Sequence, residues 1–219
     1  MEVKTKQIID ILKEEFPLAK SELIFSSPFE LLISVILSAQ CTDKRVNQVT
    51  KILFKRANTP QAMVSLGKVE LEKLIFSCGF YHNKADHILS CSQSLIDNFN
   101  SNVPSSLKEL LTLSGVGVKT ANVVYAVGFG GQAIAVDTHV FRVSNRLGLA
   151  QANNVAKTEQ QLRQAIDQEL WSSSHHLLLL LGRYVCLSRK PKCEICRLSQ
   201  LCEFAKSQSA INLTTKGNK

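Results

Sequence analysis

Apolar residues recur at the spacing of an α-helix along most of this sequence. In PFELLISVILS, residues 28–38, apolar side chains three and four positions apart fall on one side of a helix, after a proline suited to its first turn. Thr59 precedes Pro60 as a helix cap would, and Ser106 and Thr158 each stand three residues before Glu or Gln, the spacing of a capping box. Because no segment alternates like a strand, the pattern predicts an all-α fold of about ten short helices.

The charge of the chain favours a polyanionic partner. The 219 residues carry a formal net charge of +8 and show no basic amphipathic anchor, so nucleic acid is expected before a membrane surface. The most apolar stretch, residues 175–181, is far shorter than the ~20 residues that cross a bilayer. The charged N-terminus lacks the apolar core of a signal peptide, so we expect a cytoplasmic protein with no membrane attachment.

The segment LTLSGVGVKTANVV predicts two helices joined by a tight turn. Gly115 and Gly117 flank Val116, and their N–H groups, unobstructed by side chains, would approach a phosphate closely. The N-terminus of the following helix adds favourable charge for an anion. The segment therefore resembles a helix-hairpin-helix motif, which grips the DNA backbone without reading its sequence. An ordinary glycine-containing turn is the alternative.

Lys119 follows this turn and has two interpretations. As a phosphate-binding cation it needs no change of pKa. As a nucleophile it must be uncharged, and lowering its pKa by ~2 units disfavours the charged form by about 2.7 kcal/mol. The positive end of the helix would contribute part of that shift, and burial of the side chain the rest.

Asp137 stands between an apolar segment and a helical stripe in AIAVDTHVFRVSNR. Its position predicts a helix cap, and the same carboxylate could also face a cleft. His139 is a candidate to pair with Asp137 or to orient it, and we expect it to belong to the DNA-binding surface; a purely structural histidine is the alternative.

Four of the seven cysteines crowd into CLSRKPKCEICRLSQLC, at intervals of six, two and five residues. An odd total without a secretory signal indicates metal ligation rather than a disulfide framework. Four thiolates suit a [4Fe–4S] cluster or zinc, and spacing alone does not decide between them. The predicted ligands are Cys186, Cys193, Cys196 and Cys202.

Three cations, Arg189, Lys190 and Lys192, lie between the first two cysteines of the array. With both ends of this loop held by a metal, its cations would face the DNA backbone, so we expect phosphate contact here. A solvated basic loop is the alternative.

Taken together, LSGVGVKTANVV, AVDTHVFRVSNR and the cysteine array resemble the bacterial endonuclease III family of the helix-hairpin-helix DNA glycosylase superfamily, over nearly the whole chain. The resemblance implies two helical lobes, a six-helix barrel with the hairpin and an iron–sulfur domain, with the active site in a cleft between them. It implies a monomer that acts on double-stranded DNA of the nucleoid containing damaged pyrimidines or abasic sites. The implied reaction is excision of oxidised pyrimidines, followed by β-elimination at the abasic site through a lysine Schiff base.

The resemblance also assigns roles to single residues. Lys119 matches the nucleophile, Asp137 the catalytic aspartate, and Gln40 the glutamine that fills the gap left by the extruded base. The cysteine array matches the ligands of a [4Fe–4S] cluster.

Three positions depart from the family pattern. Phe80 stands where a leucine wedge is usual; we expect it to intercalate, with Tyr81 as a possible helper and a core position as the alternative. Ser114 replaces a proline, which leaves the hairpin turn less rigid. Val118 replaces a frequent arginine and removes a phosphate contact.

The expected domains follow the same resemblance. Residues 22–131 would form the barrel, with the hairpin at 107–127. Residues 1–21 and 132–205 would form a discontinuous iron–sulfur domain, joined at the glycine-rich segment GFGGQAIAVD. The polar tail, 206–219, is expected to be disordered.

Two other functions are compatible with parts of the sequence. A monofunctional adenine glycosylase would share the motifs, but it lacks the nucleophilic lysine and usually carries a further C-terminal domain. A non-catalytic DNA-binding module would explain the hairpin, the charge and the cysteines. Lys119 and Asp137 together favour the bifunctional enzyme.

Overall fold

Helices provide nearly all the regular structure in the computed structural model, which describes residues 1–208 of the 219-residue chain. No β-strand occurs in the described part of the chain, which confirms the all-α prediction. The α-helices are α1 Val3–Glu15, α2 Pro28–Leu37, α3 Asp43–Arg56, α4 Pro60–Ile75, α5 Tyr81–Phe99, α6 Leu107–Leu110, α7 Val118–Val123, α8 Thr138–Leu147, α9 Val155–Ala165 and α10 Trp171–Tyr184.

The chain divides into two compact units. Ser21–Gly131 form one, which we call the hairpin unit, and Met1–Lys20 with the chain from Gln132 onward form the other, which we call the cysteine unit. The break after Gly131 lies within the glycine-rich segment of the sequence.

The hairpin unit is built around α2. Ser27 caps this helix by accepting a hydrogen bond from the Glu30 N–H, and Pro28 occupies the first turn. Every residue of α2 after Pro28 is buried, because α3, α5 and α7 all pack against it. The long helices α4 and α5 pack against each other, and a π-helical turn, Val124–Gly128, continues α7.

The cysteine unit has a core of its own. Helix α8 packs on α10, and α10 also packs on α1, the N-terminal helix. Ile8, Leu12, Val140 and Leu178 are among the fully buried side chains of this core. The segment that carries the cysteine array follows α10 and contains one short 3₁₀ turn, Cys193–Ile195.

One local prediction is wrong. Asn154, rather than Thr158, caps α9: it accepts a hydrogen bond from the Lys157 N–H at 2.9 Å, whereas Thr158 is buried and donates to the Asn154 carbonyl. Helix α4 is kinked internally at Gly67, whose φ is 74°.

The prediction of a disordered tail is overturned at its start. Residues 206–208 are helical and continue from residue 203. Residues 209–219 lie outside the described part of the chain.

Candidate functional site

The hairpin turn joins α6 to α7 and exposes two glycines. Gly115 has a φ of +76°, a conformation that favours glycine, and Gly117 caps α7 with open space where a side chain would be. The Val116 N–H donates to the Leu113 carbonyl at 3.1 Å and closes the turn. The Val116 side chain is buried in the core of the hairpin unit, so only its backbone is available to a ligand.

Lys119 is the second residue of α7 and its side chain is exposed. The burial expected of the nucleophile is therefore not found in this structure. The fold does fix the position of the Lys119 amine, because the helix that carries it starts directly after the glycine turn.

Gln40 and Phe80, the residues matched to gap filling and intercalation, are both exposed and both have left-handed backbone conformations. Their φ angles are 52° and 57°. The Phe80 side chain is 66% exposed, which excludes the alternative of a core residue. Left-handed conformations in residues other than glycine cost of order 1–3 kcal/mol and cluster at functional sites.

A buried lysine joins the two helices next to these exposed residues. Lys84 lies one turn into α5 from Phe80, is only 5% exposed, and donates from Nζ to the carbonyl of Leu37, the last residue of α2, at 2.8 Å. Gln40 follows three residues later. Burial lowers the pKa of Lys84, and the nearby Cys78 and Cys41 thiols oppose that effect.

Asp137 begins α8 as the sequence predicts. Its Oδ1 accepts hydrogen bonds from the N–H groups of His139 and Val140, both at 2.8 Å. The His139 ring does not pair with this carboxylate; its Nδ1 lies 3.2 Å from Nη2 of Arg142. The proposed orienting role of His139 is therefore limited to its backbone N–H.

The four cysteines of the array line a single pocket after α10. All four are free thiols. Burial raises the pKa of Cys193 and Cys196, and the neighbouring thiols of Cys186 and Cys202 add to this effect. Within residues 1–208, no three His, Cys, Asp or Glu side chains form a group that could hold a single metal ion.

Two arginines of α8 hold the start of the cysteine array. Arg142 donates from Nε and Nη2 to the Cys186 carbonyl at 3.1 and 3.0 Å. Arg146 donates from Nη1 to the Cys186 Sγ at 3.4 Å and to the Leu187 carbonyl at 2.7 Å, with its guanidinium 4.6 Å from the centre of the Phe204 ring. Neither arginine was predicted from the sequence to have this role, although their spacing of four places both on one face of a helix.

The three cations of the loop after Cys186 are exposed: Arg189, Lys190 and Lys192. None of them forms an ion pair with another residue in the described range 1–208. The Lys192 N–H donates to the Val185 carbonyl at 3.0 Å and closes the loop, so the cations project from a short, tied segment.

Comparison with known families decides the relationship. The model of the HhH-GPD superfamily of base excision DNA repair proteins matches residues 33–168, which include the hairpin, Lys119 and Asp137. The chain belongs to the HhH-GPD superfamily.

Individual relatives of this HhH-GPD protein cover almost its full length. Endonuclease III of Haemophilus influenzae is 47% identical over 203 residues, which span 92% of this chain and 96% of the relative. The protein in a structure of a trapped endonuclease III–DNA covalent intermediate is 46% identical in sequence to this chain, with a TM-score of 0.89. The match covers 95% of this chain and 100% of the chain in that structure. A non-covalent endonuclease III–DNA complex is 45% identical, with a TM-score of 0.90 and coverages of 96% and 100%.

None of the described helices of this HhH-GPD protein is both long enough and apolar enough to cross a membrane.

Proposed function

We propose that this chain is a DNA repair enzyme that removes oxidised pyrimidines and then cleaves the abasic strand. The observation that carries the proposal is the exposed Lys119 amine directly after the glycine turn, in a chain of a base excision repair family. The substrate would be double-stranded DNA that contains a damaged pyrimidine or an abasic site. The relative captured as a covalent intermediate with DNA supports a chemistry in which protein and DNA are joined.

The proposed nucleophile is the Lys119 amine. It would form a bond to C1′ of the damaged nucleotide while the bond from C1′ to the base breaks, and the base leaves with a proton. Opening of the sugar ring then breaks the C1′–O4′ bond, and the remaining amine proton passes to O4′, which leaves a Schiff base between Lys119 and C1′. Removal of a C2′ proton then expels the 3′ phosphate, and water hydrolyses the linkage to release the enzyme.

Asp137 would stabilise the positive charge that develops on the sugar and help to move protons. The helix cap supports this role, because the hydrogen bonds to Oδ1 fix the orientation of the carboxylate. A charge held in a fixed orientation costs little reorganisation when the reaction proceeds.

The exposed Gln40 and Phe80 would compensate for extrusion of the damaged base. Extrusion costs a few kcal/mol, less for a weakly stacked lesion. The Gln40 amide would hydrogen-bond the orphaned partner base, and the Phe80 ring would occupy the space between bases. Because Lys84 ties α5 to the end of α2, the two residues are presented by one braced surface of the hairpin unit.

The cysteine array would hold a [4Fe–4S] cluster. The donor set fits, because four free thiols of one segment line one pocket and thiolates are the ligands of such clusters. Its Cys186, Cys193, Cys196 and Cys202 thiolates would ligate the iron, and the cluster would fix the basic loop against the phosphate backbone without taking part in the reaction. We further propose a monomer that works on nucleoid DNA in the cytoplasm.

Product analysis tests the proposal. With a duplex containing thymine glycol, the native protein should release the modified base and leave a strand broken by β-elimination without alkali. Lys119→Arg keeps the charge but not the nucleophile, and should lose about 100-fold or more of this activity. Lys157→Arg, at an exposed position of α9, is the matched control and should behave as the native protein.

Each of the other outcomes would indicate a different function. Base release with strand cleavage only after alkali would indicate a monofunctional glycosylase. Binding without base release or cleavage would indicate a non-catalytic DNA-binding module. Either result contradicts the proposal.

A further inference from the structure

The hairpin turn is braced by a residue from outside the hairpin. Ser114, the residue before Gly115, shares a hydrogen bond with His87 of α5, with 3.0 Å between Ser114 Oγ and His87 Nδ1. The two residues are 27 positions apart in the sequence. A serine at this point therefore gains a fixed partner on the neighbouring helix.

His87 also contacts the turn through Gly115. A Cβ added at Gly115 would lie 2.8 Å from the Cβ of His87, closer than two such carbons pack. The backbone of the turn is thus pressed directly against α5. His87 therefore shares a hydrogen bond with Ser114 and leaves no room for a side chain at the next residue, Gly115.

The turn has few restraints of its own. Its closing backbone bond runs from Val116 to Leu113. Among the described residues, the Ser114 N–H donates to no protein group. A proline ring would fix φ here without removing a hydrogen bond, whereas serine leaves φ free unless its side chain is held.

We propose that His87 is a positioning residue that holds the Ser114–Gly117 turn in the shape that contacts the DNA backbone. His87 acts through Ser114 and Gly115 rather than by touching DNA, and its hydrogen bond restricts the turn as a proline ring at position 114 would. The inference depends on the proposed function, because the contact between this turn and DNA is part of it.

The test is a double-mutant cycle of DNA binding. The probe is a duplex with a tetrahydrofuran abasic analogue, which is bound without being cleaved, and the Kd is measured at fixed salt. His87→Ala should raise the Kd about fivefold, as expected for a lost hydrogen bond of ordinary strength. Ser114→Ala removes the same bond from the other side and should raise it equally, with no further increase when the two are combined.

Rescue distinguishes positioning from direct contact. Ser114→Pro should bind like the native protein, and Ser114→Pro combined with His87→Ala should return to within about twofold of it, because the ring restrains the turn without the histidine. Single-turnover cleavage of a true abasic duplex at saturating protein should be unchanged in His87→Ala, so that the effect falls on binding alone. Gln93→Ala, an exposed position of α5 whose side chain bonds within its own helix, is the control and should change nothing.

Several results would overturn this inference. A native Kd in both His87→Ala and Ser114→Ala would show that the bond does not position the turn. A Ser114→Pro/His87→Ala variant that binds as weakly as His87→Ala alone would show that His87 touches DNA itself. Failure of the native protein to bind the abasic duplex at all would contradict the proposed function instead. This outcome is distinguishable from the two results that contradict the role of His87.

Discussion

At the residue scale, Asp137 combines a structural and a proposed chemical role in one carboxylate. Oδ1 accepts both capping hydrogen bonds of α8, and the negative charge of the group is what the reaction needs. Asparagine caps a helix about as well as aspartate but carries no charge. The two roles are therefore separable by substitution.

Asp137→Asn should leave the free energy of unfolding within about 0.5 kcal/mol of the native value, whereas Asp137→Ala should lose about 1 kcal/mol. Both should lose about 100-fold or more in base excision, because both lose the charge. Chemical denaturation and single-turnover excision are the measurements. Asn154→Ala, which removes the cap of α9, should show the same loss of stability with native activity. Full activity in Asp137→Asn would refute the proposed role of the charge.

His176 gives the cysteine unit a dependence on pH. The side chain is buried, and its pKa is lowered from 6.5 mainly by that burial and also by Arg183. Because the unfolded chain binds a proton at a higher pH than the folded chain, the contribution of His176 to stability is complete above pH 6.5 and is lost as pH falls through the folded pKa.

The loss of unfolding free energy between pH 7 and pH 5 should therefore be smaller in His176→Gln than in the native protein. Urea denaturation at a series of pH values measures it. Equal slopes in the two proteins would show that His176 titrates alike in the folded and unfolded chains.

Interpretation of single residues from the sequence succeeded where the relevant contact is local. Asp137 was identified as a cap because the N–H groups that it satisfies are two and three residues away. Thr158 was misassigned because Asn154, one turn earlier, competes for the same role. Lys84 and His87 were missed because their partners lie 47 and 27 positions away, and no periodicity reports such a contact.

At the scale of elements, α8 connects the proposed catalytic carboxylate to the cysteine array. Asp137 caps its first turn, while Arg142 and Arg146 bind the main chain around Cys186. Hydrogen bonds thus attach the array to α8 at its first cysteine and at its last, where the Cys202 thiol donates to the Arg146 carbonyl at 3.2 Å. The proposed cluster would join the other two cysteines to them.

Loss of the cluster should accordingly loosen the array while leaving the hairpin unit folded. Cys202→Ser should lose bound iron and visible absorption, and trypsin should then cut the loop after Arg189 or Lys192 faster than in the native protein. Cys41→Ser, at a half-buried cysteine of the hairpin unit, should retain full iron and resistance. A fully active protein that contains zinc and no iron would contradict the assignment of the metal.

The helices themselves were predictable because local residue types determine where each helix begins and ends. Thr59 caps α4 as expected, and Pro28 occupies the first turn of α2 as expected. The internal kink at Gly67 was not predictable, since the same glycine signal marks both a helix end and a bend.

At the scale of the whole molecule, two cores share one chain. The cysteine unit takes its first helix from the N-terminus and the rest from the chain after Gly131, so that the hairpin unit is an insertion within it. Helical periodicity predicts the class of such a fold, but not which helices pack together; the resemblance to a family supplied that part of the expectation.

The central claim is that the Lys119 amine bonds covalently to deoxyribose, and reductive trapping tests it most directly. The native protein, loaded with iron and incubated with an abasic-site duplex in the presence of borohydride, should give a protein–DNA adduct that survives denaturing electrophoresis. Mass spectrometry of its peptides should place the adduct on Lys119. Lys119→Ala should give none, and Lys157→Ala should give the native amount. Absence of an adduct from an iron-loaded protein that binds the duplex, or an adduct that persists in Lys119→Ala, would contradict the account.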